Sequence, residues 1–288
     1  MKYISYFHKQ DDNGNIKVGV LGNNQNVYDL SPIFPDIFSI INTPGSTDII
    51  QTYLEKNKDS IHLSDVCLTA PITKPIRNIF CVGWNYLDHF EERHNKEINL
   101  PDKPTFFTKG TNTIAGPYED IPTIESFTSK LDYEAELAVV IGKEGINIKP
   151  ENALDYVFGY MCANDITARD VQFDHGGQWF KGKSMDKSCP IGPYLLSKNE
   201  ISNPQNLSIT CTVNNTIVQS SNTALMNFSI EQIISELSCG MTLLPGDIIL
   251  TGTPSGIGSK KTPPLFLKKN DIVVVNISEL GEIRNQIC

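Results

Sequence analysis

Residues 132–142 read DYEAELAVVIG and combine two closely spaced glutamates with an apolar run. The second half of this stretch is apolar and rich in β-branched residues, which predicts a buried strand. Glu134 and Glu136 begin that strand two residues apart, so both carboxylates are expected on one face. Like charges side by side are unfavourable unless a cation lies between them. The pair predicts either a site for a hard cation such as Mg²⁺ or Mn²⁺, or a solvated strand end.

A third carboxylate follows the next apolar strand, which is predicted over residues 157–163. Asp165 comes where that strand meets a loop, a common place for functional side chains. This position favours the metal interpretation of the glutamate pair. The neighbouring Arg169 and Asp170 either belong to the same site or form an ion pair on the surface.

Residues 172–187 are predicted to form a long loop rich in glycine and aromatic residues. The loop contains Lys183, which would neutralise an anion near a metal or would simply be exposed. The Gly-rich stretch at residues 250–258 lacks the GKS or GKT sequence of a P-loop, and no GxGxxG opens a β-α unit. A nucleotide site of either kind is therefore not indicated.

A histidine segment follows a predicted strand that ends near Gly83. If the chain after Gly83 is helical, His89 and Glu92 lie three residues apart on one face. A histidine whose tautomer is fixed by a carboxylate can act as a general base and take a proton from water. The alternative is a solvated helix face with charges of both signs. No HExxH motif occurs, so zinc is not indicated.

Composition narrows the class of protein. The chain has 288 residues and a net charge of −9, which argues against a nucleic-acid partner because phosphate requires a basic footprint. Its seven cysteines form no CxxC pair, so neither a zinc knuckle nor a disulfide framework is indicated. It has no apolar run long enough to span a membrane. We expect a cytoplasmic protein with neither a nucleic-acid nor a membrane partner.

Strand-like segments dominate the chain, so the sequence predicts a mostly β, α+β protein. Residues 1–70 are expected to form a small N-terminal β-rich domain, and residues 71–288 the main domain, with a proline-rich break between them. The sequence VNNTI at residues 213–217 predicts a hairpin, because Asn tolerates the positive φ of a tight turn. The best helix is predicted over residues 229–239, where Ser229 and Gln232 form a capping box.

Six segments, taken in order, resemble the fumarylacetoacetate hydrolase family. They are GWNYLDHFEE, KLDYEAELAVVIG, YMCANDITARDVQ, KGKSMDKSCPIGP, TVNNTIVQ and LLPGDIILTGTPSGIG. The resemblance runs from about residue 76 to the last residue. It implies a mixed, rolled β-structure for the catalytic domain, usually dimeric, and the first 70 residues resemble the small domain that precedes it in many bacterial members.

The resemblance also implies roles for particular residues. Glu134, Glu136 and Asp165 match the family's metal ligands, which implies one Mg²⁺ or Mn²⁺ per subunit. His89 and Glu92 match its water-activating dyad, and Lys183 its active-site lysine. Gln172 and Thr253 match positions on the substrate side of the site.

These implied roles suit an enzyme whose substrate is a small anionic 2-oxo acid. Such a substrate can chelate one metal through a carboxylate oxygen and the 2-oxo oxygen, where negative charge develops during C–C cleavage. Attack by an activated water would hydrolyse an acylpyruvate of the fumarylpyruvate or fumarylacetoacetate type. Without that attack, the same site would decarboxylate oxaloacetate or act as an isomerase on 2-hydroxyhepta-2,4-diene-1,7-dioate. A metabolite-binding relative without catalysis is the alternative outside these enzymes.

Trp84 departs from the family pattern, because several acylpyruvases carry a basic residue at that position. An indole there would remove one contact with a substrate carboxylate and leave room for a more apolar acyl tail. The alternative is a simple variation in packing.

Overall fold

The computed structural model describes residues 1–11, 14–88 and 101–288. Within these ranges most of the regular structure is strand, which confirms the mostly β fold class. In chain order, β1 to β18 are Lys2–His8, Lys17–Leu21, Asn26–Asp29, Ile61–His62, Val66–Thr69, Ile79–Gly83, Thr105–Lys109, Ile114–Ala115, Leu131–Asp132, Ala135–Ile141, Val157–Asn164, Thr167–Ala168, Cys189–Ser197, Ser208–Val213, Thr216–Asn222, Ile248–Leu250, Ile272–Ile277 and Gly281–Gln286.

Helices are short and few in the described part. In chain order, α1 to α5 are Ile37–Asn42, Ser46–Lys56, Arg169–Asp174, Phe180–Lys183 and Ile230–Leu237. Short 3₁₀ helices lie at Asn23–Gln25, Leu63–Asp65, Thr111–Thr113, Pro150–Tyr156, Lys198–Glu200, Thr223–Leu225 and Gly258–Lys260. No helix among these residues is both long and apolar enough to cross a membrane.

The predicted helix at residues 229–239 is confirmed as α5. Ser229 and Gln232 form the expected capping box, and the apolar face of the helix is buried. The prediction of a continuous loop over residues 172–187 is wrong, because α3 and α4 occupy much of it. Both helices are so short that their sequences carry no periodic apolar pattern.

Strand β10 lies inside a twelve-stranded sheet, between β11 and β16. All seven of its residues are buried. Leu137, Val139 and Ile141 pack in one apolar cluster, while Ala138 and Val140 pack in a second one. The alternation shows that both faces of the sheet are covered at this strand, which explains why its sequence is a continuous apolar run.

The register of β10 against β11 places the third carboxylate next to the first two. The two strands are antiparallel, with Glu136 opposite Ala163 and Ala135 opposite Asn164. The chain continues past the end of β11, and the Asp165 amide donates to the Glu134 carbonyl at 2.9 Å. Strand pairing thus brings together residues that are about thirty positions apart in sequence.

The N-terminal strands extend the same sheet. β1 pairs antiparallel with β13, and β2, β3 and β4 follow outward from β1. Tyr3, Val20 and Leu30 lie in one apolar cluster with Ala138 and Leu195. The first 70 residues and the rest of the chain therefore share a sheet and a core, while the predicted domain boundary at residue 70 stays a prediction.

A second sheet has the order β15-β14-β17-β18. The predicted hairpin forms its edge, where β14 turns into β15. Asn214 and Asn215 adopt φ values of 49° and 66°, the left-handed conformation that the turn requires. This sheet matters for the site because β15 carries Gln219 against the start of β10.

Candidate metal centre and active site

Three carboxylates meet where β10 begins and β11 ends. Ligand atoms of Glu134, Glu136 and Asp165 all lie within 4.8 Å of one another. The three residues are 5%, 1% and 0% exposed. The structure thus brings together all the residues that the sequence predicts as metal ligands, and it buries them instead of leaving them at a solvated strand end.

Cationic side chains neutralise two of these carboxylates. Lys183 Nζ donates to Glu134 Oε2 and to Asp165 Oδ2, both at 2.7 Å. Lys109 Nζ donates to Asp165 Oδ1 at 2.7 Å, and Arg169 Nη2 donates to Glu134 Oε1 at 2.6 Å. Each donor is almost fully buried, so these are ion pairs in a medium of low dielectric.

The wider cluster carries an excess of negative charge. Its carboxylates are Asp132, Glu134, Glu136 and Asp165, and its cations are Lys109, Lys183 and Arg169. With every group ionised, four negative and three positive charges leave one negative charge unbalanced. Burial of an unbalanced charge is costly, so the cluster as built would be stabilised by a further cation.

Glu136 is the carboxylate without a cationic partner among the described residues. Its one hydrogen bond there comes from the Gly252 amide, 2.6 Å from Oε2. Burial raises the pKa of Glu136 well above its usual value, and the charges of Asp165 and Glu134 add to that rise. Three clustered carboxylate oxygens, one of them unpaired, suit a hard divalent cation such as Mg²⁺ or Mn²⁺. The residues present therefore fit the metal that the sequence predicts.

Gly252 can approach Glu136 because it has no side chain. Its φ is 96°, and a Cβ added there would lie 2.8 Å from the Cβ of Asn85. The Asn85 amide in turn donates to the carbonyls of Thr251 and Phe228, at 2.8 and 3.1 Å. The turn after β6 is thereby joined to the loop after β16, and both approach the carboxylates.

Lys183 stays charged in this environment. Burial alone would lower its pKa, but the negative charges of Asp165 and Glu134 outweigh that effect and raise the pKa. Its Nζ also lies 5.2 Å from the centre of the Phe107 ring. The interpretation of Lys183 as an exposed lysine is wrong, since α4 places it within the cluster at 2% exposure.

A narrow cleft opens onto the carboxylates and holds an empty volume of about 270 Å³. Gln172, Lys183 and Thr253 supply its polar lining, together with Glu134 and Glu136. Gln172 Oε1 accepts a hydrogen bond from Arg169 Nη1 at 3.1 Å. The structure thus places both predicted substrate-side residues, Gln172 and Thr253, at the same cleft as the triad, while their roles stay predictions.

Aromatic side chains form the rest of the cleft wall. Trp84 and Trp179 pack edge to face with their ring centres 5.0 Å apart, and Phe107 meets Trp179 in the same manner at 5.1 Å. Trp84 adopts a φ of 56° directly after β6. The indole of Trp84 lines the cleft and also packs on Trp179, while its effect on the substrate stays a prediction.

The predicted dyad, His89 and Glu92, lies outside the described residues. Asp88 is the last described residue before this segment. Its Oδ2 accepts a hydrogen bond from Ser255 Oγ at 2.6 Å. Ser255 is two residues beyond Thr253, in the same loop. The roles of His89 and Glu92 therefore rest on the sequence.

Two buried charged residues of the cluster, Lys109 and Asp132, were not predicted from the sequence, which also left open whether Arg169 belongs to the site. Lys109 ends the apolar strand β7, where a lone lysine gives no sign of its partner. Asp132 accepts from Arg169 Nε at 2.8 Å and from the backbone amides of residues 258 and 259, at 2.7 and 3.0 Å. Arg169 faces inward, so a surface pair between it and Asp170 is wrong. Asp170 instead accepts hydrogen bonds from Thr128 and Ser129.

Comparison with known proteins agrees with the motifs. The family model described as "Fumarylacetoacetate (FAA) hydrolase C-terminal" matches residues 78–288. The oxaloacetate tautomerase YisK of Bacillus subtilis (strain 168) is 42% identical over 291 aligned residues, which cover 94% of this chain and 95% of that protein. The mitochondrial oxaloacetate tautomerase Fahd2a of Rattus norvegicus is 40% identical, with 97% and 88% covered.

A solved structure extends the likeness to the whole fold. The fumarylacetoacetate hydrolase EaFAH from the psychrophile Exiguobacterium antarcticum is 36% identical, with a TM-score of 0.84 over 100% of this chain and 99% of that one. The chain belongs to the fumarylacetoacetate hydrolase family, a family of enzymes. The predicted family and its fold are therefore confirmed.

Proposed function

We propose that this protein is an enzyme that requires a divalent metal and interconverts the keto and enol forms of oxaloacetate. The observation that carries the metal-dependent part is the buried triad, in which Glu136 has no cationic partner among the described residues. The choice of reaction is supported by two relatives, at least 40% identical over most of their length, that are named oxaloacetate tautomerases.

The metal in this proposal is one Mg²⁺ or Mn²⁺ per subunit, held by Glu134, Glu136 and Asp165. When bound, it would supply a Lewis acid that stabilises negative charge on the 2-oxo oxygen of the substrate. Its two positive charges would also change the cluster from one excess negative charge to one excess positive charge. The site would then attract an anionic substrate even though the chain as a whole is acidic.

The side chains of the cleft would divide the remaining work. Conversion of the keto form to the enol form removes a proton from C3 of oxaloacetate and places a proton on the 2-oxo oxygen. The double bond between C2 and this oxygen becomes single, the C2–C3 bond becomes double, and no bond between heavy atoms is broken. Lys183, held cationic by its two carboxylate partners, would place a fixed positive charge beside developing negative charge. Gln172 and Thr253 would orient the carboxylates of the substrate. His89, with Glu92, is the proposed group that moves the proton.

Hydrolysis of a C–C bond in an acylpyruvate is the second candidate. It is favoured by the predicted water-activating pair His89 and Glu92 and by the likeness to a fumarylacetoacetate hydrolase of solved structure. Decarboxylation of oxaloacetate and isomerisation of 2-hydroxyhepta-2,4-diene-1,7-dioate would use the same triad.

We further propose that the protein is a homodimer, as the family resemblance implies, and that it is located in the cytoplasm, as its cysteine usage suggests. Analytical ultracentrifugation would show the assembly, and fractionation of cells would show the location. A monomer at micromolar concentration would contradict the first of these proposals.

One comparison of substrates tests the proposed reaction. Protein stripped of metal is resupplied with Mn²⁺ or Mg²⁺ and given oxaloacetate and a set of acylpyruvates in parallel. Loss of enol absorbance, release of pyruvate and release of CO₂ are followed together. Metal-dependent enol–keto exchange without pyruvate supports the tautomerase. Pyruvate from an acylpyruvate identifies a hydrolase, and pyruvate with CO₂ from oxaloacetate identifies a decarboxylase. No turnover of any of these substrates would contradict the proposal.

A further inference from the structure

Gln219 joins the strand that carries the triad to the loop that carries Thr253. It lies on β15 and is 2% exposed. One end of its amide meets the backbone of Ala135, the residue between the two metal-site glutamates. The other end meets Thr253 and Pro254. A single buried side chain therefore joins the start of β10 to the loop that carries Thr253.

The partners of Gln219 fix which end of its amide is the oxygen. The backbone N–H of Ala135 can only donate, so the atom 3.0 Å from it must be Oε1. The opposite end is therefore Nε2. It donates one hydrogen to Thr253 Oγ1 at 2.9 Å and the other to the Pro254 carbonyl at 2.9 Å. Both amide hydrogens and the amide oxygen are thus used.

The donation from Gln219 determines what Thr253 offers to the cleft. A hydroxyl has one hydrogen to donate and two lone pairs to accept with. One lone pair of Thr253 Oγ1 is occupied by Gln219 Nε2, and within the described residues this hydroxyl has no other partner. Thr253 lines the cleft, so its O–H hydrogen remains free to donate there. An anionic oxygen accepts such a donor strongly.

We propose that Gln219 is a positioning residue that holds the Thr253 hydroxyl as a hydrogen-bond donor to a carboxylate of the bound 2-oxo acid. The nature of the ligand in this inference rests on the proposed function. The inference adds a residue from the second sheet to the site and explains why a glutamine, with a donor and an acceptor at opposite ends of its amide, lies at this position.

The test is a double-mutant cycle with oxalate as an unreactive probe of anion binding. Wild type, Gln219→Met, Thr253→Val and the double variant are loaded with Mn²⁺, and oxalate binding is measured by isothermal titration calorimetry. The Mn²⁺ affinity of each protein is measured separately. The matched control is Gln286→Met, which makes the same replacement at an exposed glutamine on β18.

We expect Gln219→Met to weaken oxalate binding by about 10-fold or more, the effect of losing a hydrogen bond to a charged group. Mn²⁺ affinity should stay within about 3-fold of wild type, and in the Thr253→Val background the Gln219 replacement should add less than about 2-fold. A purely structural role through Ala135 would instead weaken Mn²⁺ binding and would persist without the hydroxyl.

Gln219→Glu is the second variant, in case Gln219→Met does not fold. It retains an acceptor for Ala135 but has no N–H for Thr253, and comparison within the Thr253→Val background cancels the effect of its added charge. The inference is overturned if oxalate binding is unchanged, if its loss is the same without the hydroxyl, or if wild-type protein does not bind oxalate. Oxalate binding needs no turnover, so it tests the role of Gln219 alone. The tautomerase proposal is tested separately, by the activity of the wild-type protein on oxaloacetate.

Discussion

Glu136 is the residue on which the metal proposal depends most directly. It contributes one triad oxygen and, unlike Glu134 and Asp165, forms no ion pair with a lysine or arginine in the described part of the chain. We expect Glu136→Gln to reduce Mn²⁺ affinity by at least about 100-fold, since loss of an outer-shell partner alone costs 10- to 100-fold in other metal sites. Titration with Mn²⁺, followed by electron paramagnetic resonance of the free ion, measures this loss.

The same substitution should leave the fold intact. The neutral amide removes a buried and unbalanced charge, so the metal-free variant should be at least as resistant to urea as metal-free wild type. Glu144→Gln, at an exposed glutamate in the same domain, is the matched control and should bind Mn²⁺ as wild type does. Wild-type Mn²⁺ affinity in Glu136→Gln would remove this residue from the site.

Asp170 gives a prediction about pH that is independent of the metal. Partial burial opposes its ionisation, but hydrogen bonds from the Thr128 hydroxyl and the Ser129 amide outweigh burial and lower the pKa of Asp170. A carboxyl whose pKa is lowered by folding adds stability above its unfolded pKa, about 3.9 for Asp. That stability is lost as pH falls through the folded value.

Asp170→Asn should therefore lower the free energy of unfolding more at pH 7 than near pH 3. Urea unfolding at the two pH values measures the difference, with Asp155→Asn, an exposed aspartate, as the control. An equal effect at both pH values would show that the ionised form of Asp170 contributes nothing.

The sequence predicts the role of a residue well when its partners are close to it along the chain. Glu134 directly precedes β10 and Glu136 is the second residue of that strand, so their spacing of two is enough to predict that the two carboxylates lie close together. Lys109 reaches Asp165 across 56 positions of sequence, and Arg169 reaches Asp132 across 37. These contacts depend on how separate strands pack, and spacing in the sequence does not encode that packing. The ion pairs of Lys109 and Arg169 were therefore found only in the structure.

At the scale of elements, strands with a plain apolar pattern were predicted close to their observed bounds. The strand predicted to end near Gly83 and the strand predicted over residues 157–163 are examples, observed as β6 and β11. Strand β13 was missed because it contains Pro190, Gly192 and Pro193, which argue against a central strand. Its edges nevertheless bind β1 and β11, and the short parallel strand β8 pairs with its first two residues. Its neighbours, not its own composition, make it a strand.

The cap of α5 offers a measurable test at this scale. Ser229 Oγ accepts from the Gln232 amide at 3.3 Å, and the Gln232 side chain accepts from the Ser229 amide at 2.8 Å. We expect Ser229→Ala to lower the free energy of unfolding by about 1 kcal/mol, a typical cost of losing an N-cap. Urea denaturation gives the value. Ser235→Ala, within the same helix and away from the cap, should cause no loss, and equal effects of the two substitutions would exclude a role for the cap.

At the scale of the whole molecule, the first 70 residues contribute strands to the main sheet. Removing them would leave β13 without its partner strand β1 and would expose Ala138 and Leu195, which lie in the shared core. We therefore expect residues 71–288 alone to unfold at a clearly lower temperature than the full chain or to aggregate. Thermal unfolding followed by circular dichroism compares the two. An unchanged midpoint would instead show that the predicted domains are energetically independent.

The fold class and the family could be predicted from the sequence, whereas the way the N-terminal strands join the main sheet could not. The mostly β fold and the family follow from motifs such as the glutamate pair and the loop at residues 251–258. The junction between the N-terminal strands and the main sheet could not, because it depends on β13 pairing with β1.

The most direct measurement of the central proposal is the rate of enol–keto exchange of oxaloacetate by metal-stripped protein before and after addition of Mn²⁺. We expect little acceleration without metal, a large one with Mn²⁺, and none in Glu136→Gln at Mn²⁺ concentrations that saturate wild type. Equal rates with and without metal, or a Glu136→Gln variant as fast as wild type, would contradict it.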